Sequence, residues 1–311
     1  MTDTILVTGG CGFVGSNLVR RLVGDGYNVR VLDNLSRGRL DYISDLESIE
    51  FFKADITDPV SCEKAFAGVD KVVHLAALGS VVESIDDPKT NFDINVSGTF
   101  NVLNLCVQAG VSKMIFSSTG GALIGNAKPP VGESSLPKPI SPYGASKLCC
   151  EAYCHAYSSS FDFNAICLRF ANVYGPNSQH KVGVVNKFVQ RVITNQPLTI
   201  FGDGSSTRDY IHVSDLCNGI QLALENPNIQ NDVIHIATGK ETSLTELAEI
   251  FLEIGGMDKD MLVFEPSRVG EVERNFALYD YAKEVLGYEP KVELKSGLTS
   301  TFEHLKQIYQ A

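Results

Sequence analysis

Tyr143 and Lys147 stand four residues apart in Tyr143-Gly144-Ala145-Ser146-Lys147, a spacing that puts a phenol and an ammonium on one face of a helix. A phenol with the ordinary pKa of about 10 is a poor base at neutral pH. Lowering it by roughly three units takes about 4 kcal/mol of selective phenolate stabilisation. A nearby ammonium contributes to that, and a hydroxyl such as Thr119 or Ser118, following the apolar run from Lys113 to Ser117, could share the proton. The chemistry these residue types suit is proton removal from an alcohol. The same pair is also what a solvent-facing Tyr/Lys couple on an amphipathic helix looks like.

A second group lies near the N-terminus. Gly9, Gly12 and Gly15 follow a short apolar run and open a helical pattern. Missing side chains let the backbone turn tightly and approach a pyrophosphate, whose charge meets the free N–H groups of the helix start. An acidic residue, Asp33, ends the next apolar run eighteen positions after Gly15, placed to accept hydrogen bonds from both ribose hydroxyls and to repel a 2′-phosphate. NAD is therefore favoured over NADP. Arg37 could offset that repulsion, stack on the adenine or sit in solvent. Asp55-Ile56 could flank the adenine, or Asp55 could be a simple turn residue. With a dinucleotide bound, oxidised nicotinamide would add positive charge near Tyr143 and receive the hydride as the proton leaves.

These groups need a scaffold that brings them together. Ile5–Thr8, Val29–Leu32, Ile49–Lys53, Lys71–Leu75, Lys113–Ser117 and Asn164–Arg169 carry buried-strand patterns, with helix-length segments between most of them. Such alternation predicts an α/β fold, a Rossmann-type doubly wound parallel sheet with ligands at the C-terminal strand ends. After about Ala171 the rhythm breaks: Val173–Asn177 and Asn195–Thr207 are rich in Gly, Pro, Asn and Ser, with a helical pattern over Val184–Thr194 between them. Tyr210–Val213 and Val233–Ala237 look like strands returning to the sheet, and Leu244–Ile254 and Ser296–Ile308 like helices. The expected organisation is a dinucleotide-binding domain over 1–171 plus about 208–238, and a smaller interleaved lobe over about 172–207 and 239–311.

Composition narrows the classes. The 311 residues are enough for a large core, 44% are hydrophobic, and mean hydropathy is +0.02. Twenty-six Lys and Arg against 37 Asp and Glu give a net charge of −11, which disfavours nucleic acid or anionic membrane as a partner. No apolar run approaches the ~20 residues of a membrane span. The opening residues lack a signal-peptide pattern, so a cytoplasmic protein is expected. Eight cysteines show no CxxC spacing and read as free thiols, and no metal site is expected.

The order Thr8 to Gly15, Asp33-Asn34-Leu35-Ser36, His74-Leu75-Ala76-Ala77, Ser117-Ser118-Thr119, Tyr143 to Lys147 and Arg169 to Pro176 resembles the extended short-chain dehydrogenase/reductase family. Within it the nucleotide-sugar epimerase branch is most similar, especially UDP-glucose (UDP-galactose) 4-epimerases. The likeness continues through Gly202-Asp203-Gly204, Arg208 to Leu216 and Arg268-Val269-Gly270-Glu271, nearly the whole chain. It implies tightly bound NAD, a nucleoside diphosphate sugar as substrate, and a homodimer built from the helices around Asn91–Gln108 and Tyr143–Tyr157. The base it implies is Tyr143, supported by Lys147, with Thr119 as the active-site hydroxyl. Cofactor positions match Gly9, Gly12, Phe13, Val14, Asp33, Asn34, Ser36, Arg37, Gly38, Asp55, Ile56, Leu75, Ala76, Ala77, Asn95, Ser117, Tyr143 and Lys147, with Phe170 and Val173 bordering the nicotinamide. Substrate positions match Ser118, Thr119 and Tyr143 at the sugar, Asn172, Arg208 and Arg268 at the diphosphate, Lys187, Phe188, Thr199 and Phe201 around the base, and Glu271 at a ribose hydroxyl.

Departures from that family also bear on the reaction. Ile124 stands where many relatives have tyrosine, and Gly79 where some epimerases carry lysine. Related 4,6-dehydratases place Asp-Glu directly after the active-site threonine, and decarboxylating relatives tend to carry a carboxylate there. This chain has Gly120-Gly121, which cannot move protons. A 4-epimerase acting on UDP-glucose/UDP-galactose, or on a UDP-uronate or N-acetylhexosamine relative, is the expected function. A dehydratase, decarboxylase or reductase, or a non-catalytic NAD-binding regulator, are the alternatives.

Overall fold

The computed structural model describes residues 3–266 and 274–310. Seven parallel strands form its main sheet: β1 (Thr4–Thr8), β2 (Asn28–Asp33), β3 (Ile49–Lys53), β4 (Lys71–His74), β5 (Lys113–Thr119), β6 (Asn164–Phe170) and β7 (Val233–Ile236). The spatial order is β7-β6-β5-β4-β1-β2-β3, so the strand order reverses between β1 and β4. A crevice at that switch point, outside the carboxyl ends of the strands, is where open sheets of this kind hold ligands.

Strand alternation explains both faces. Ile5, Val7, Val29, Val31, Ile115, Ile166 and Leu168 pack into one buried cluster with the helices Phe13–Gly24 and Val213–Glu225. Leu6, Leu32, Val72, Met114, Phe116, Ala165 and Cys167 turn to the other face, against Pro59–Phe66, Gly98–Ala109 and Pro142–Ser160. The right-handed crossovers of parallel strands place a helix layer on each side.

A third cluster lies outside the sheet. Val185, Phe188, Val189 and Val192 of the helix Val184–Ile193 pack with Leu198 and Ile200, with Leu247, Phe251 and Leu252 of the helix Leu244–Gly255, and with Leu298, Phe302 and Leu305 of the helix Leu294–Gln310. One expectation fails here. Tyr210–His212 does not return to the main sheet; it pairs in parallel with Asn172–Tyr174 in a separate two-stranded sheet. The apolar residues that suggested a sheet strand are instead split between the first and third clusters, which take Ile211 and Tyr210 respectively. The segment read as irregular also contains strands, Leu198–Phe201 and Thr207–Arg208, paired with Leu262–Glu265 and with Thr242–Ser243 and Arg274–Asn275.

Candidate active site

The glycine turn follows β1 and faces the crevice. Gly9 has φ +70°, and a Cβ there would lie 2.7 Å from the Ala76 amide nitrogen; one on Gly15 would collide with the Gly9 carbonyl. The positions need glycine because two backbone segments touch. No side chain caps the helix Phe13–Gly24, which leaves its first N–H groups and positive dipole end free for an anion.

Asp33, at the end of β2 and buried, accepts from the Cys11 amide at 3.0 Å and the Leu35 amide at 2.8 Å. Burial raises its carboxyl pKa in spite of those two bonds. A Cβ on Gly38 would meet both Asp33 oxygens within 2.9 Å, so the loop folds back over the carboxylate. These features fit an adenosine ribose at this strand end. Asp55 accepts from Asn34 at 2.7 Å and from both donors of Thr57, while Asn34 also accepts from the Ser36 amide. Asp55 is thus a turn carboxylate that also ties two adjacent loops together, next to buried Ile56. Arg37 is exposed to solvent, one of its anticipated places, and forms a two-pronged ion pair with Glu83, at 2.7 and 3.2 Å.

Leu75, Ala76 and Ala77 line the loop after β4, half-buried. Asn95 fixes that loop, accepting from the Leu78 amide at 2.8 Å, donating to its carbonyl at 3.1 Å and donating also to Ser146 at 3.1 Å. It sits in a π-helical turn, Asp93–Ser97, a distortion that rotates its side chain onto the loop.

The helix Pro142–Ser160 starts on a Ser141 side-chain cap and carries Tyr143 and Lys147 toward the ends of β4 and β5. Tyr143 hydrogen-bonds Thr119, the last residue of β5. Lys147 is buried and donates to the Ser117 carbonyl at 2.8 Å, with its ammonium 6.0 Å from the Tyr143 ring centre. Ser117 itself donates to the His74 carbonyl. Burial pushes the Tyr143 phenol up to about 12 and lowers Lys147 from its usual range. Without a ligand the phenol is therefore neutral, and the sign of its shift is opposite to what a base needs. Positive charge arriving with a ligand must reverse it.

Some anticipated residues are elsewhere. Ser118 is 3% exposed and donates at 2.6 Å to Glu151, which holds Arg169 through bonds of 2.7 and 2.9 Å. Successive β5 residues point to opposite faces, so the strand that presents Thr119 sends Ser118 into this buried network. Phe188 is 2% exposed, edge-on to Phe251 in the third cluster, while Lys187 of the same helix is exposed. Helical spacing put Phe188 on the buried stripe.

Phe170 and Val173 follow the end of β6, where the Phe170 carbonyl accepts from the Gly120 amide at 3.0 Å. Asn172 is exposed next to them. Thr199 and Phe201 lie half-buried on the strand Leu198–Phe201, and Arg208 donates to the Thr207 carbonyl. Arg268 and Glu271 lie outside the described residues.

No residue pattern pointed to what lies beside Gly120-Gly121. A Cβ on Gly120 would come to 3.2 Å from His235 Nδ1, and one on Gly121 to 3.0 Å from Asn275 Nδ2. The space a longer side chain would use is filled from β7 and from the strand Arg274–Asn275. Ile124 packs in an apolar group with Leu123, Val131, Ala237 and Ala277. Among the described residues, no cluster of His, Cys, Asp and Glu could hold a metal, and no helix is long and apolar enough to cross a membrane.

The NAD dependent epimerase/dehydratase family model matches residues 5–237. The chain belongs to that family. It is 38% identical over 307 residues, 97% of this chain and 98% of the relative, to a putative UDP-glucose 4-epimerase of Methanocaldococcus jannaschii. Among solved structures it is similar to the Thermotoga maritima UDP-glucose 4-epimerase with UDP-glucose, with a TM-score of 0.93 and 38% identity over 98% of this chain and 99% of that one. A dTDP-glucose 4,6-dehydratase of Streptomyces venezuelae, with NAD bound, gives a TM-score of 0.91 and 31% identity over 98% of this chain and 97% of that one. Epimerase and dehydratase members of the family thus share this fold, and only side chains at the site can separate them.

Proposed function

We propose that this chain is an NAD-dependent 4-epimerase of a nucleoside diphosphate sugar, with UDP-glucose/UDP-galactose as the leading substrate pair. The observation that carries the reading is the packing of His235 and Asn275 into the space beside Gly120-Gly121, next to Thr119, Tyr143 and Lys147. Elimination needs an extra acid/base pair at that position, and Gly120-Gly121 supply none, with His235 and Asn275 already crowding the space. Epimerisation needs only the base that oxidation and reduction share.

Bound NAD supplies a hydride acceptor and donor. The chain's own residues do the rest. Gly9, Gly12, Phe13 and Val14 cradle the pyrophosphate, and Asp33, with Asn34, Ser36 and Gly38 around it, takes the adenosine ribose. Tyr143 removes the proton from the sugar hydroxyl and returns it, Thr119 orients that hydroxyl, and Lys147 favours the phenolate. Asn172 and Arg208, with Arg268 from beyond the described residues, take the diphosphate; Thr199, Phe201 and Lys187 border the base; and Glu271 takes a ribose hydroxyl. The sequence division stands as the proposed domain plan, 1–171 and about 208–238 for the dinucleotide and the remainder for the sugar nucleotide.

Two finer readings complete the proposal. The chain works as a homodimer: Phe100 and Tyr153, both more than 40% exposed, meet edge-on at 5.8 Å on the outer faces of the helices Gly98–Ala109 and Pro142–Ser160, joined by Tyr157. It works in the cytoplasm, in keeping with eight free cysteines, all but Cys149 buried.

The test is incubation of the purified protein with UDP-glucose, UDP-glucuronate and UDP-N-acetylglucosamine separately, without added cofactor, followed by NMR and mass spectrometry. A 4-epimer of unchanged mass is expected from at least one of them. A product lighter by water or carbon dioxide would overturn the reading of Gly120-Gly121.

A further inference from the structure

Lys181 is a cation that the account above leaves unused. Its residue is exposed, and its ammonium turns back onto the strand Asn172–Tyr174. The ammonium donates to the Val173 carbonyl at 2.5 Å and lies 5.9 Å from the centre of the Phe13 ring. Its backbone is fixed on both sides: the Lys181 amide donates to the Ser178 carbonyl at 2.7 Å, and Asn186 donates to the Lys181 carbonyl at 2.9 Å.

The loop that carries it is anchored to the start of the first helix. Asn17 donates to the Pro176 carbonyl at 3.0 Å, and Asn177 donates to Ser16 at 3.2 Å. Lys181 therefore stands between the uncapped N-terminus of Phe13–Gly24 and the segment after β6. Among the described residues no carboxylate pairs with it, although acidic residues outnumber basic ones by eleven. An ammonium that meets only a backbone carbonyl keeps further donors and its charge free for an anion. Partial desolvation lowers its pKa to about 8, which still leaves it mostly charged at neutral pH.

We propose that Lys181 is a ligand-binding residue of this cleft, pairing its ammonium with the diphosphate of a bound nucleotide. The chemistry recognised is a diphosphate, and two ligands of the proposed function carry one: the sugar nucleotide and the dinucleotide. The inference rests on that reading for its choice of probes.

The experiment is calorimetric titration of wild type, Lys181→Gln and Lys181→Arg. UDP and uridine are titrated into the holoenzyme, and NAD+ into protein freed of dinucleotide. Glutamine can still donate a hydrogen bond, so Lys181→Gln removes the charge while keeping a polar side chain. A weakening of UDP binding by about tenfold or more, with uridine unchanged and arginine restoring most of the affinity, assigns Lys181 to the sugar nucleotide. The same loss for NAD+ instead assigns it to the dinucleotide. Unchanged affinity for both, or equal weakening of UDP and uridine, overturns the proposal, since a merely structural tether would not discriminate by charge. Wild-type protein that binds no UDP would sink the nucleotide-sugar reading, and the NAD+ titration would still decide on Lys181.

Discussion

Lys147 spends its hydrogen bond on the Ser117 carbonyl, 2.8 Å away, and reaches Tyr143 only through space, at 6.0 Å from the ring centre. In the proposed mechanism the lysine acts on the phenol as a field, not as a donor. Removing it should leave Tyr143 in place and raise its pKa. In Lys147→Met, kcat should fall by about 100-fold or more, and the rise of rate with pH should move to higher pH because the phenolate becomes harder to form. A pH-rate profile with an unmoved limb would refute this role.

Tyr143→Phe removes the proton acceptor and little else. Turnover should drop by at least about a thousandfold while the dinucleotide stays bound, read from absorbance of the purified protein and from progress curves. Residual activity within tenfold of wild type would mean that another group is the base.

The glycine turn offers a test of the dinucleotide site. In Gly15→Ala the new methyl collides with the Gly9 carbonyl, so the turn must open. Purified protein should carry far less dinucleotide than wild type, while far-ultraviolet circular dichroism keeps its α/β shape.

Glu151 and Arg169 are 6% and 5% exposed at their side chains and form a two-pronged pair. Glu151→Ala leaves a guanidinium buried without its partner, a change that costs about 3–5 kcal/mol. Urea unfolding should show that loss. The arginine already has one nitrogen without a partner among the described residues, which makes the remaining bonds harder to replace.

Acid should destabilise the protein before it protonates most carboxylates. Burial holds His74 and His235 at about 3, against an ordinary value near 6.5. Between those values the unfolded chain binds protons that the folded chain refuses, so stability falls as pH drops, by about 1.4 kcal/mol per pH unit for each histidine. Asp209, raised to about 6 by burial, works with the opposite sign between roughly pH 4 and 6 and offsets one of the two. His212 and His304, also lowered by burial, add to the loss, so stability should still fall toward acid, measurable as the shift of the urea midpoint with pH.

The main sheet was legible in the sequence because its inner strands are buried on both faces and read as apolar runs: β1, β2, β4 and β6 were placed to within a residue at each end, and the half-buried edge strand Ile49–Lys53 to the residue. The strand Thr207–Arg208 was not, since two residues carry no period. Around the site, the glycine turn, Asp33, Tyr143 and Lys147 declared themselves by spacing, while Thr119 was told from Ser118 only by the family resemblance. Ser118 and Phe188 misled because adjacency along a chain says nothing about which face of a strand or helix a side chain takes. Lys181, His235 and Asn275 were invisible for the converse reason: distant segments deliver them, and neither a loop lysine nor a strand histidine carries a local pattern.

The chain leaves the main sheet at Phe170 and comes back at Val233, where His235 lies in register with Arg169. Between them the chain passes through the outer cluster and then back along the sheet as the helix Val213–Glu225 before the seventh strand can be laid down. No single cut therefore separates the part that carries the glycine turn from the part beyond it. A fragment ending near residue 171 would expose the β6 edge as a bare row of hydrogen-bonding groups, prone to pairing with copies of itself. Exchanging one half for that of another protein would require three junctions, which ties any change in what the outer cluster recognises to point substitution rather than to recombination.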